Sequence, residues 1–176
     1  PKYRAIVKNL TRLYNVGAQG PDPLFFYNPL AASKVEKQGH ACHAMTGSAF
    51  FEAALNRYRA APSEGAAAYL FGVLAHYCLD CHCHPLINAA TEEANLDHME
   101  LETEFDRFLL QKDGKLPPHL QSYYKSIHLT RGEQATAAAL YEDISPAAFG
   151  WGVRNMANVH HVATSRNRKF AKGLLG

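Results

Sequence analysis

One stretch constrains the fold more than any other. Residues 66–75 (AAAYLFGVLA) are almost wholly apolar and run directly into HYCLDCHCHP at 76–85. The run follows the breaker APSEG, where Ser63 is placed to cap a long helix. On a helix His76, Asp80 and His84 stand at i, i+4 and i+8, within about 80° of its circumference. The rest of that helix is apolar, so this face is expected to enter the core. Unpartnered polar groups there cost roughly 2–7 kcal/mol each. The ladder therefore needs partners, and a metal ion suits its nitrogen and oxygen donors.

The other periodic segments also read as helices. Residues 2–16 carry helical spacing and stop at Gly17, and residues 47–60 (GSAFFEAALNRYRA) are entered at Thr46. Another helix runs from about Asp97 (DHMELETEFDRFLLQK) to the break at Gly114 and Pro117–Pro118. Thr130 and Glu133 form a capping-box pattern that opens QATAAALYEDI. Ser145-Pro146 sets an N-cap and a first-turn proline ahead of WGVRNMANVHHVA. The helix capped by Ser63 is expected to end at Pro85. Residues 17–38, rich in glycine, proline and aromatics, are expected as an ordered loop or broken helix. No stretch alternates as a strand between hairpin turns. The expected fold is all-α, a single domain over 1–176 with six or seven helices.

Composition narrows the function. A chain of 176 residues can bury a core without disulfide staples. Eighteen basic against sixteen acidic residues leave a net +2 with no block of like charge. Neither a nucleic-acid groove nor a polybasic membrane anchor is expected from this. No apolar run approaches the roughly 18 residues that span a bilayer. The start, PKYRAIVKNLTRLYNV, is amphipathic and unlike a signal peptide; it also lacks an initiating Met, so upstream residues are expected to be missing. Reduced thiols in a cytoplasmic protein are the matching expectation. The ten histidines are the compositional outlier.

Several of them fall in ligand spacing. His98 and Glu102 repeat the i, i+4 step with Asp106 one turn further, although Glu100 and Glu104 make this an acidic face in any case. Asp22 lies in GPDPLFFY, where capping a turn is equally open. His40 and His43 in QGHACHAMTG can share a site or stand as core histidines. Cys78-Leu-Asp-Cys81-His82 matches a haem-attachment pattern. Its cysteines project about 200° and 140° from His76, off the ladder, and no haem is expected. A thiolate zinc site is the other rival. Cys42, Cys78 and Cys81 are expected as small buried fillers, and Cys83, about 20° from His76, as a lining of the site. His119 and His128 are expected in solvent, with Lys8, Arg12 and the RNRK run at 166–169, and His82 is expected either exposed or next to the ligands. His160 and His161 are expected beside a packed face, where one of them can reach a carboxylate of the site. Phe25, Phe26 and Tyr27 either floor a pocket or belong to the core.

In chain order, GAQGPDPLFFY, GHACHAMTGSAFF, LFGVLAHYCLDCHCHP and HMELETEFD resemble the zinc-dependent phospholipase C family. That family shares its all-α fold with the three-zinc single-strand nucleases. The resemblance covers residues 17 to about 110. Its specific part is H-x3-D, a following His, then H-x3-E. It implies that Asp22, His43, His76 and Asp80 hold one zinc and that His84, His98 and Glu102 hold a second. It also implies that Asp22 orients or deprotonates the attacking water and that Asp80 can bridge to a neighbouring metal. His40, Cys83 and Asp106 are the candidates next to the ligands. Metal-bound histidines are expected to donate their other ring nitrogen to a carboxylate or carbonyl. Secreted members hold a third zinc with their amino terminus and an N-terminal histidine. No histidine precedes His40 here, so two ions are expected and the third is not, unless missing residues supply it.

The resemblance implies a zinc-dependent phosphodiester hydrolase of phospholipase C type, acting on a phosphodiester small molecule or a phospholipid head group. Pro23 follows Asp22 where the lipid enzymes use an aromatic, so the head-group pocket does not carry over. A nuclease or nucleotidase on the same metal core is the alternative, since aromatics near Asp22 can stack bases. A non-catalytic metal-binding protein is another. Nucleic acid is not the expected partner.

Overall fold

The computed structural model describes residues 2–28, 31–94, 98–115 and 123–163. Among them are eight α-helices and no strand: α1 (Lys2–Asn9), α2 (Thr11–Gly17), α3 (Lys34–Ala44), α4 (Gly47–Ala60), α5 (Glu64–Ala94), α6 (His98–Lys112), α7 (Arg131–Ala138) and α8 (Pro146–Ala163). Short 3-10 turns at Asp22–Leu24 and Tyr123–Ser126 complete the order, and the fold is all-α. Pro1, Asp97, His119, the Pro117–Pro118 break and the run at 166–169 lie outside the described residues.

Side-chain caps set most helix starts, because the first N–H groups of a helix have no intrahelical acceptor. Thr46 accepts from Ala49 N–H at 3.3 Å, Ser63 from Ala66 N–H at 3.0 Å and Ser145 from Ala148 N–H at 3.1 Å. Full capping boxes open α3 (Ser33 with Glu36) and α7 (Thr130 with Glu133). Glu133 also pairs with Arg12 at 2.9 Å, so Arg12 ties α2 to α7 where the sequence suggested a solvated charge.

Three elements differ from the sequence expectation. The first helix breaks at Leu10, next to Thr11, whose hydroxyl donates to Lys8 O at 2.9 Å and so competes with the backbone ladder. Helix α7 stops at Ala138, four residues after the expected Gln134 start of its periodic run, and turns follow. Helix α5 runs through Pro85 to Ala94. A proline removes one hydrogen bond there. Packing carries the helix past it: Cys83, Leu86, Ile87 and Ala90 face Leu101 and Phe105 of α6 across a shared groove.

The core sits where α2 crosses α5 against α7 and α8. Tyr69, Phe149, Leu24, Ile127 and Val16 are fully buried in it. The two helix backbones meet at paired glycines. A Cβ on Gly17 would fall 2.2 Å from Tyr69 O, and one on Gly72 would fall 2.2 Å from Tyr14 O. No side chain could occupy either place, so this contact fixes how α2 delivers the turn that follows it onto α5.

Apart from the phenols of Tyr69 and Tyr141, no polar or charged side chain is buried in the core among the described residues. The expected entry of the whole ladder into the core is therefore corrected. Side-chain exposure rises from 14% at His76 to 32% at Asp80 and 47% at His84. Helix α5, about 46 Å long at 1.5 Å per residue, outruns the core and carries the ladder out to the surface. No helix among the described residues is long and apolar enough to cross a membrane.

Candidate metal centre

Four elements converge along the ladder. The 3-10 turn supplies Asp22, the last turn of α3 supplies His43, α5 supplies His76, Asp80 and His84, and the start of α6 supplies His98 and Glu102. They gather in two clusters. Asp22, His43 and His76 form one, and His84, His98 and Glu102 the other; within each, one ligand-type atom per residue lies within 4.8 Å of the rest. His43 Nε2 is 3.1 Å from Asp22 Oδ1, and Glu102 Oε1 is 3.0 Å from His98 Nε2 and 3.6 Å from His84 Nε2. Asp80 stands between the clusters. Its Oδ2 is 3.1 Å from His76 Nε2 and its Oδ1 is 3.9 Å from His84 Nε2. Ligand atoms at about 2.0–2.1 Å from a tetrahedral zinc are themselves roughly 3.3 Å apart, a spacing these contacts bracket.

Hydrogen bonding decides what can lie between these atoms. His43 Nδ1 is 3.0 Å from Gly39 O. A carbonyl only accepts, so Nδ1 carries the proton and neutral His43 presents a lone pair at Nε2. That lone pair faces the Asp22 carboxylate, and two acceptors 3.1 Å apart repel unless a cation separates them. His76 Nε2 poses the same problem. It is buried and close to Asp80, yet the directions of the two groups do not make a hydrogen bond. Both contacts need a proton or a metal ion. Protons are the default: the hydrogen bond to Asp22 raises the pKa of His43 against the effect of burial. Burial opposes charging His76, but Asp80 and Asp22 outweigh it and its pKa is also raised. For Asp80, burial pushes upward and His76 overcomes it, leaving the carboxylate below its ordinary range. Nitrogen and carboxylate donors are the set zinc takes, and zinc competes for the same positions as those protons.

The backing of His76 has no signature in local sequence. Gly20 adopts φ +57 and lies flat against the imidazole, where a Cβ would fall 2.2 Å from His76 Cδ2. Tyr141 donates to Gly20 O at 3.3 Å, and its hydroxyl oxygen accepts from Tyr69 at 2.7 Å. Burial raises the pKa of both phenols, keeping them as donors. Sequence reasoning missed all three residues. The glycine ahead of Pro21-Asp22 hinted at a left-handed turn, but nothing near Tyr141 points to a partner 121 residues away. Tyr141→Phe should lower stability by about 1–3 kcal/mol in chemical denaturation, because Tyr69 then keeps a buried hydroxyl without its acceptor. An unchanged midpoint would mean the relay holds nothing.

The remaining candidates fall around the clusters. His40 joins neither; it is exposed, 3.8 Å from Glu36, and packs on Phe25, which also contacts the His43 ring at 5.0 Å. Phe25 thus braces a ligand-type histidine. Asp106 lies close enough to Glu102 for its charge, after burial, to raise the Asp106 pKa. Cys42 is buried and its thiol is pushed up to about 11 by burial. Cys78 and Cys81 are exposed, correcting their reading as buried fillers, since this half of α5 has left the core. Cys81 lines the cavity beside the ladder, whereas Cys83 faces the groove toward α6. His82 and His128 are exposed and donate to Cys78 O and Lys125 O. His160 pairs with the Tyr123 hydroxyl at 2.7 Å, and His161 packs on Tyr124.

Comparison with known proteins adds one finding. Residues 7–151 match the family model described as zinc dependent phospholipase C. Neither the curated proteins nor the solved structures give a significant match. The matched span contains every residue of both clusters, Asp80 between them, and Gly20 and Tyr141 behind His76. With most of its length so matched, the chain belongs to the zinc-dependent phospholipase C family.

Proposed function

We propose that the chain is a zinc-dependent phosphodiester hydrolase in which Asp22, His43 and His76 hold one zinc, His84, His98 and Glu102 a second, and Asp80 spans the two. The observation that carries this reading is the gathering of Asp22, His43 and His76, whose ligand-type atoms lie within 4.8 Å of one another, with His43 Nε2 3.1 Å from Asp22 Oδ1 and its Nδ1 turned to Gly39 O. We read the chain as one domain, because a single core cluster draws on residues from Ile6 to Val153.

Zinc bound here would polarise a phosphoryl oxygen and supply a water with its pKa lowered toward about 7. The protein groups do the rest. Gly39 O holds the His43 proton at Nδ1 and keeps Nε2 as a donor of electrons. Asp22 contacts His43 through Oδ1, so Oδ2 is left to take the proton of the attacking water as the new P–O bond forms. The leaving oxygen departs opposite that bond and takes a proton from solvent, which reaches the half-exposed His84 side of the centre. With both ions bound the four imidazoles would be neutral, and Asp22, Asp80 and Glu102 would place three negative charges among them. Two divalent ions would overcompensate them by one, leaving a centre that attracts a phosphodiester anion.

The test is metal content and turnover together. Protein purified without added metal or chelator should carry roughly two zinc per chain and hydrolyse bis(p-nitrophenyl) phosphate. Chelation should abolish turnover and zinc should restore it. His84→Ala should give up one equivalent, while Cys78→Ala should give up none. Failure to take up zinc on titration would sink the reading; two zinc with no turnover of any phosphodiester would leave a metal-binding protein.

A further inference from the structure

Beside the two clusters, the end of α3 together with α4 and α5 borders a cavity of about 390 Å³. One wall is the metal centre itself: His43, His76, Asp80 and His84. Met45, Phe50, Val73, Tyr77 and Pro85 supply apolar lining to the same cavity. We propose that this cavity is a specificity pocket for one compact, uncharged apolar ester group of the phosphodiester, so that alkyl and aryl phosphodiesters are preferred over those bearing a quaternary ammonium or a nucleoside. The proposal rests on the hydrolase reading above.

Charge and chemistry of the lining select this occupant. No lysine or arginine lines the cavity among the described residues, so it offers nothing to hold a second phosphate. Its one carboxylate, Asp80, is engaged by His76 and His84. A cationic head group would find no free counter-charge and would face a centre left positive by its ions. A nucleobase needs fixed donors and acceptors. Beyond the centre the lining offers the Asn88 amide, two thiols and the Tyr77 hydroxyl, and that hydroxyl is packed where a Cβ on Gly47 would stand. Met45 and Tyr77 are each 39% exposed at the cavity. Covering such apolar surface favours binding, and pockets of this size lined mainly by apolar groups are the usual seats of apolar ligand parts.

Calorimetry on the zinc-loaded protein with methyl phosphate, n-hexyl phosphate and phosphocholine tests this without requiring turnover. Hexyl phosphate should bind at least about tenfold more tightly than methyl phosphate, since the added methylenes enter the pocket. Phosphocholine should bind no more tightly than methyl phosphate. Met45→Glu should cut the hexyl advantage to below about threefold, and Met45→Leu should keep it, with zinc content read on both variants to verify the centre. Equal binding of the two alkyl phosphates, or phosphocholine binding most tightly, would overturn the pocket. The two readings fail separately. Hydrolysis of bis(p-nitrophenyl) phosphate with no effect of alkyl length sinks the pocket alone, and a hexyl preference with no hydrolysis supports the pocket and sinks the hydrolase.

Discussion

Asp80→Asn should weaken zinc binding at both clusters, by about a hundredfold or more, whereas His43→Ala and His98→Ala should each weaken one. A hundredfold is about 2.7 kcal/mol. The asymmetry follows from where the carboxylate stands: Oδ2 is 3.1 Å from His76 Nε2 in one cluster and Oδ1 is 3.9 Å from His84 Nε2 in the other. Asparagine keeps the shape but replaces one oxygen with an NH2 group that cannot ligate, and it removes the negative charge both ions would share. Competition with a chelator of known affinity, with zinc counted per chain, separates the outcomes. If one equivalent keeps its wild-type affinity, Asp80 serves a single ion.

The metal-free protein offers a second readout of the same substitution. The folded pKa of Asp80 is lowered, so its contribution to stability is present above the ordinary carboxylate value and is lost as pH falls through the folded one. The folded pKa of His76 is raised, so its contribution is present below the ordinary imidazole value and is lost as pH rises through the folded one. The pair therefore stabilises the metal-free fold only between those limits, and Asp80→Asn should flatten the stability profile inside that window alone.

How much of this was legible in the sequence depended on whether the cause was local. Thr46, Ser63, Thr130 and Ser145 were readable as caps because a cap and the N–H it satisfies lie within three residues. The i, i+4 steps from His76 to His84 and from His98 to Glu102 fixed shared faces because helical geometry alone sets them. Pro85 misled, because its local penalty is real but α6 packs on the far side of it. The course of the ladder out of the core was not legible either, since periodicity orders residues around a helix and says nothing of where its neighbours stop. The intermediate position of Asp80, and the backing of His76 by Gly20 and Tyr141, required α2, α5 and the segment after α7 to be seen together.

Gly20→Ala should remove most of the zinc-dependent rise in Tm, while Gly114→Ala should leave it intact. The two positions separate backbone strain from the effect on the site. Gly20 has φ +57 and Gly114 has φ +66, so a side chain at either costs about 1–2 kcal/mol of left-handed strain. A Cβ at Gly114 would meet nothing within 4 Å, but at Gly20 it would fall 2.2 Å from His76 Cδ2 and 2.4 Å from His76 Nε2. The backbone at Gly20 has little freedom to retreat. Its N–H donates to Gly17 O at 2.8 Å and its carbonyl accepts from Tyr141 at 3.3 Å. The imidazole must then move, and Nε2 leaves the position it shares with Asp22 and His43. Ligand-linked stabilisation scales with the logarithm of affinity, so a hundredfold loss at saturating zinc removes about 2.7 kcal/mol that Gly114→Ala retains. Thermal unfolding of both variants with and without zinc reads this directly. Equal zinc-induced shifts would reduce Gly20 to a turn residue and detach the turn from the metal centre.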